Sequence, residues 1–363
     1  MTIQPAASDL AVYSARPRME IAGSEDLLAT RLMRRLEMRE TEGGLSSLEV
    51  QFENAATGSA DGADFAFEGS ANDQLSLGAE IRVVTGPRDD PQEIFQGTVS
   101  ALELVLEIGK TPALTVMAED ALMAMRLARR TRLFEAGTLQ SVAETLAGDS
   151  GLRLEADGLD METGPDLQLN ETDLGFLRRL LGRHDCDCQI VGTVLQAAPR
   201  AAGARGDVAL AYGDTLLELR AVADLADQVG AVTWSGWDPS TSERITAESS
   251  GSATGPGSGR DGAAVLAEVF GQRSEHAGAH AVRDAGEAQA LVDTLFQRRA
   301  RRFVSVEGTA TGDPAIRIGA TLELSGIGPR FSNRYAVTET IHRFDEENGY
   351  RTEFRAESAY FGG

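Results

Sequence analysis

The chain has 363 residues, 42% of them hydrophobic, and a formal net charge of −22, which is material for two or three domains with sizeable cores. Lys110 is the only lysine among the cations, and so acidic a chain is not expected to bind a nucleic-acid backbone. No run approaches the ~18 apolar residues of a membrane span, and the opening MTIQPAASDL lacks the basic and apolar regions of a secretory signal, so synthesis in the cytoplasm is expected.

Residues 10–55 read as strands: Ala11-Val12-Tyr13 opens one, Arg18-Met19-Glu20-Ile21 forms another, and residues 45–52 alternate after the Gly43-Gly44 turn. Residues 27–38 carry the spacing of either a helix, with Leu28, Leu32 and Leu36 on one face, or a twisted strand. Residues 56–72, rich in Gly, Ser, Ala and Asp, read as an exposed loop. Leu102, Leu104, Leu106 and Ile108 alternate with Glu103 and Glu107, as in a strand with one buried face. Gly109-Lys110 fits a hairpin tip, with residues 113–117 as the return strand.

The texture then changes. Thr138 caps an amphipathic segment, 139–147, that is expected to stop at Gly148, and a strand follows at 152–154. Asn170-Glu171-Thr172-Asp173 precedes a helix with Leu174, Leu177 and Leu181 on one face and arginines on the other. Residues 186–195 read as a strand with Gly192 at a turn, and residues 231–238, with Trp234 and Trp237, as another. Residues 246–263 are of low complexity and read as a flexible segment. Residues 286–303 form a helix, with Ala290, Leu291, Leu295 and Phe296 on one side and four arginines near its C-terminal end, where cations suit the dipole.

A repeat runs through this order. Leu75-Ser76-Leu77-Gly78-Ala79-Glu80-Ile81-Arg82-Val83 and Ile316-Arg317-Ile318-Gly319-Ala320-Thr321-Leu322-Glu323-Leu324 share one pattern: apolar, any, apolar, Gly, Ala, polar, apolar, polar, apolar. A Gly-Pro-Arg turn follows each, at Gly86-Pro87-Arg88 and Gly328-Pro329-Arg330. An aromatic then leads into a β run (Phe95 and Tyr335), and each copy closes on Ala-Glu-x-Ala, beginning at Ala118 and Ala356. Two copies in one chain predict a duplicated antiparallel β unit.

Little in the chain asks for catalysis. His184, Cys186 and Cys188 are the only cluster with metal-ligand character, but a structural zinc site wants four ligands, and on a strand these three share a face and pack. His276 and His280 sit four apart beside the low-complexity segment, without the Glu of a metalloprotease helix, and His342 alternates with apolar neighbours as a strand-face histidine. There is no phosphate loop and no G-x-S-x-G elbow, and with 56 Asp and Glu residues carboxylate pairs carry no signal. No catalytic residue, metal or cofactor is expected.

The stretch Asn170-Glu171-Thr172-Asp173-Leu174-Gly175-Phe176-Leu177-Arg178-Arg179-Leu180 resembles the N-E-S/T-D-x-x-F-L-x-R-L segment of the phage late control D family. Val232-Thr233-Trp234-Ser235-Gly236-Trp237-Asp238-Pro239 is similar to that family's V-x-x-x-G-W/Y-D-P strand and turn. Gly312-Asp313-Pro314-Ala315-Ile316-Arg317-Ile318-Gly319, Tyr335-Ala336-Val337-Thr338, and His342 with Gly349-Tyr350-Arg351-Thr352 resemble its C-terminal signature. These proteins are baseplate hubs of contractile tails, related to the N-terminal hub part of VgrG-type spike proteins. The resemblance implies a mainly β, α+β chain: a first tube-like β-barrel over 1–125, an α/β domain over 126–205, and a second tube-like barrel over 206–363 holding the flexible segment. It further implies a homotrimer that contacts the tail tube protein, the spike protein and other baseplate components, in an assembled phage or phage-tail-like particle. The chain ends at Gly363 without needle-like repeats, so the spike is expected to be a separate chain. A tail-associated cell-wall hydrolase and a monomeric β-rich module binding carbohydrate or protein are the alternatives.

Overall fold

The computed structural model describes residues 16–55, 65–67, 74–202, 205–238, 241–250, 253–278 and 282–362. The strand expected at Ala11 to Tyr13, most of the 56–72 loop, and His280 lie outside them. The chain is mainly β, of the α+β class. Among the described residues no helix is long and apolar enough to cross a membrane.

The first unit comprises β1 (Arg18–Ile21), α1 (Leu27–Leu32), β2 (Met33–Thr41), β3 (Ser47–Glu53), β4 (Glu80–Thr85), β5 (Gln92–Val105) and β6 (Ala113–Glu119). The two readings of residues 27–38 each hold for part of the stretch. The Asp26 side chain accepts from the Ala29 amide and starts a short helix, and then the fully buried Met33, Leu36 and Met38 line β2. The second unit comprises β12 (Asp207–Ala211), β13 (Leu216–Ala223), β17 (Val304–Thr311), β18 (Thr321–Ser325), β19 (Arg334–Asp345) and β20 (Gly349–Ser358).

The first unit pairs in the order β2-β3-β6-β5-β4-β1 and the second in the order β13-β17-β20-β19-β18-β12. Position by position the strands correspond, and the correspondence reaches single residues. One extra residue, Ser100, bulges β5 against Ala118 and Met117; Thr338 bulges β19 against Ala356 and Arg355. Both hydroxyls donate to the carbonyl opposite, Ser100 to Met117 and Thr338 to Arg355. A second bulge falls at Arg34 in β2 and at Leu217 in β13, again in equivalent register. Bulges are specific local features, and two shared ones are hard to reach by independent routes. The units differ at the rim, where β1 pairs antiparallel with β4 but β12 pairs parallel with β18. The aromatics of the sequence repeat are offset: Tyr335 faces Leu322, whereas the register equivalent of Tyr335 is Gly97, and the ring of Phe95 leans over that glycine.

Among the described residues neither unit closes into a barrel. The edge of β2 is taken by the outer half of β19, so the twelve strands of both units, with the two-residue strand Ser24–Glu25 beside β1, join in one 13-stranded sheet. The expectation of two tube-like barrels is corrected to two open six-stranded sheets: in the first unit the edge that closure would use, β2, serves as the joint, and in the second β13 and β12 stay apart at the two edges. A second correction concerns Leu102, Leu104, Leu106 and Ile108, expected on a buried face. Leu102 lies opposite the buried Val116, yet the four are 39%, 44%, 59% and fully exposed.

Between the units lie β7 (Arg129–Phe134), α2 (Leu139–Asp149), β8 (Arg153–Ala156), β9 (Asp166–Thr172), α3 (Asp173–Gly182), β10 (Cys186–Val191) and β11 (Val194–Pro199). Thr138 and Thr172 cap the two helices as expected, although α2 runs past Gly148 and the chain turns at Gly151 instead. Residues inserted between β13 and β17 form a small layer: β14 (Ala231–Asp238), β15 (Glu243–Ser249), α4 (Gly262–Phe270), β16 (Ser274–His276) and α5 (Ala285–Ala300). The buried stripe of α5 is Ala288, Val292, Phe296 and Ala300; of the expected face Phe296 lies in this stripe, and Leu291 and Leu295 pack half-buried against the same core. The low-complexity segment is no featureless linker: it begins inside β15, buries Ala253, exchanges hydrogen bonds between Ser258 and Asn333, and ends in α4.

Candidate functional site

The chemistry of this chain concentrates where its parts meet. Glu40 stands on β2 in the inward row with Met38 and is 2% exposed. Its Oε2 accepts from Arg317 Nε at 2.7 Å and from the Ile318 amide at 3.2 Å. Its Oε1 accepts from Arg205 Nη1 at 3.1 Å and Arg317 Nη2 at 3.2 Å. The arginines reach onward, Arg317 donating to the Ile94 carbonyl and Arg205 to the Ile190 carbonyl. One carboxylate thus ties the first unit, the α/β element and the second unit together. Burial by itself would raise the Glu40 pKa, but Arg317 and Arg205 outweigh it and hold it down to about 2.

Beside this knot His342 of β19 is fully buried, with Nδ1 2.8 Å from the Tyr350 hydroxyl and 3.2 Å from Thr352 Oγ1. Burial, aided by the Arg317 charge, depresses its pKa to about 3, so the imidazole is neutral. It is a strand-face histidine packed in the joint.

A cleft of about 610 Å³ opens between the α/β element and the second unit, with Glu42, Asp185, Asp187, Arg200, Arg301 and Glu357 in its walls. Asp185, at φ +52°, accepts from Arg301 Nη1 at 2.7 Å through both oxygens. Asp187 Oδ1 accepts from the amides of Gly43 and Cys188 at 2.8 and 2.9 Å, while Oδ2 meets Arg200 Nη1 at 3.2 Å. Burial raises the Asp187 pKa to about 6, a value suited to acid–base work. Its oxygens are nevertheless spoken for, and they dock the β2–β3 turn onto β10. Glu42 pairs with Arg200, and Glu357 lies 3.6 Å from Arg301. Every acid named here faces an arginine, which makes this a wall of ion pairs rather than a pair of free carboxyls.

The three candidate ligands do not converge. Cys186 and Cys188 are buried in the core of the α/β element, where burial raises both thiols to about 12, far from the thiolate a metal needs. His184 is half-buried, its pKa lowered by burial and by Arg183. Among the described residues no group of three or more His, Cys, Asp or Glu side chains could hold a metal ion. His276 sits exposed on β16. Sequence reasoning missed Glu40, Arg205 and Arg317; the available signal was an acid in the apolar row of an alternating strand.

The profile of the Alg8 N-terminal domain family matches residues 55–346. No curated protein matches the chain in sequence. Among solved structures the chain is similar to the 43 kDa tail protein of prophage MuSo2 from Shewanella oneidensis, with 15% identity, a TM-score of 0.66, and 94% of this chain and 97% of that one covered. It is also similar to a tail protein from Neisseria meningitidis, at 11% identity and a TM-score of 0.65, covering 95% and 99%. A third is an Escherichia coli component of the type VI secretion system, described as structurally similar to bacteriophage T4 tail proteins gp27 and gp5, at 13% identity and a TM-score of 0.54, covering 95% and 78%. At these identities the likeness is one of fold.

Proposed function

The chain belongs to the Alg8 N-terminal domain family, and from that premise, joined to a fold it shares with phage-tail and type VI proteins, we propose that it is a non-enzymatic baseplate hub of late control D type. In this reading three copies assemble at the end of a contractile tail, between the tail tube and the spike. The first β unit occupies 1–125, the α/β element 126–205 and the second β unit 206–363. The observation that carries the reading is the doubled strand order with its two shared bulges. A tube is six-fold and a spike three-fold. Three chains with two like units each present six similar surfaces to one and three identical surfaces to the other. The open sheets suit such a ring, since each can be completed by its neighbour. The acidic charge faces the bore and keeps a polyanionic payload from adhering.

The test is imaging of purified particles carrying a tag on this chain, together with its mass in solution. The tag should lie at the junction of tube and spike, with three copies per particle. A tag along the tube or on the sheath, or six copies, would overturn the reading.

A further inference from the structure

Within the chain, the outer half of β19 pairs antiparallel with β2: Thr340 faces Glu40, His342 faces Met38, and Phe344 faces Leu36. Thr340 and His342 are fully buried, and Phe344 enters the core of the first unit. Each partner in this seam has a counterpart that lacks a neighbour. The counterpart of outer β19 is residues 101–105 of β5, which pair with β6 on one side and, among the described residues, with no strand on the other. The counterpart of β2 is β13, whose residues 218–223 pair with β17 on one side and with no described strand on the other. The leucines that should have been buried sit on the first of these edges. Leu102, Leu104 and Leu106 occupy the positions of Thr340, His342 and Phe344, and they are exposed because the strand that would cover them is missing. A flat apolar edge of this kind invites a strand from another chain.

We propose that the outer half of β5 pairs antiparallel with β13 of a second copy, in the register that β19 uses with β2. This rests on the trimeric hub reading and names the contact between its copies. Transferring the register gives Leu102 opposite Ala223, Leu104 opposite Ala221 and Leu106 opposite Leu219, apolar against apolar throughout. Leu219 and Ala221 already border the second core, so the leucines extend it as Phe344 extends the first. On the other face Arg220 falls opposite Val105, with Glu103 and Glu107 diagonal to it. In the seam Arg39 likewise faces Ile341 and reaches Glu339 at 3.0 Å. Arg220 is free to do this, since its side chain is 72% exposed and its ion pair with Glu307 is long at 3.7 Å. The contact is heterologous, β5 of one copy to β13 of the next, and so it propagates around a ring. The two kinds of junction are not identical. Glu40 and Arg317, the ion pair at the internal seam, have Ala223 and Ser76 as counterparts, so the contact between copies is apolar where the internal one is charged.

The experiment uses the full chain with Glu103→Cys and Val222→Cys together, a pair whose seam equivalents Ile341 and Arg39 face each other. After mild oxidation the double variant should run on a non-reducing gel as covalent species of up to three chains, while each single variant remains uncrosslinked. Leu104→Asp, placed on an exposed side chain, should abolish the three-chain mass while leaving the melting profile of the monomer intact. A three-copy assembly that neither crosslinks in the double variant nor is lost in Leu104→Asp would overturn this interface and leave the hub reading standing. A chain that is monomeric at every concentration and within particles would remove both.

Discussion

His342 sits where a charge cannot be accommodated, and the protein's response to acid follows from that. Its folded pKa, about 3, lies below the ordinary 6.5. Between those values the unfolded chain binds a proton that the folded chain refuses, so stability is fully present above 6.5 and is lost as pH falls toward 3. In the first unit the equivalent position holds Leu104. His342→Leu is therefore expected to flatten the acid limb, reducing the loss of unfolding free energy between about pH 7 and about pH 4 by on the order of 3 kcal/mol. Asp187, whose raised pKa acts in the opposite direction, is present in both proteins and cancels in the comparison. Denaturant titrations at the two pH values decide the matter, and equal slopes for both proteins would refute it. The alternation around His342 already marked it as a strand-face histidine. Glu40 stands in the apolar row of its strand, but its role was not legible among 56 acids, because the arginines that define it lie 165 and 277 residues away in the chain.

At the scale of elements, the β2–β3 turn shows how a local signal acquires a tertiary meaning. Gly43-Gly44 reads as a turn, and both residues adopt positive φ, at +93° and +70°. The turn is also a docking point: Arg178 of α3 donates to both carbonyls, and Asp187 accepts from the Gly43 amide. A Cβ at Gly44 would lie 2.5 Å from Leu122 Cδ1 and 3.2 Å from the Cys188 carbonyl oxygen, in a backbone conformation that L-residues disfavour. Gly44→Ala should destabilise the protein by about 1–3 kcal/mol, seen as a lower denaturant midpoint; an unchanged midpoint would show that the turn does not bear on the α/β element. The low-complexity segment shows the reverse limit. Its composition cannot support a core, yet Ala247 and Ser249 are buried because β15 lies under α5, a neighbour that composition does not reveal. The leucines of β5 make the same point from the other side, since alternation says that one face is apolar but not what will cover it.

For the molecule as a whole, the decisive feature is a sheet that runs from one unit into the other with a buried ion pair at the joint. Glu40→Gln would leave Arg205 and Arg317 buried without their counter-charge, at a cost of about 3–5 kcal/mol. Because the folded pKa of Glu40 is depressed, the wild-type advantage is present above about 4.5 and shrinks as pH falls toward about 2. Calorimetry of the two proteins at neutral and acid pH tests both the size and the sign. A Gln variant as stable as wild type at neutral pH would mean that the joint holds by strand pairing alone.

Local residue patterns were enough to establish the class, the capped helices of the middle element, and the existence of a repeated β unit, because turn glycines, caps and period-two alternation are set by a few neighbouring residues. Tertiary structure alone decided that the units stay open, that the joint is made by β2 and β19, and that one row of leucines stands bare. Each of those outcomes depends on which strands pair at an edge, a choice between segments far apart in the chain that leaves no local trace in either.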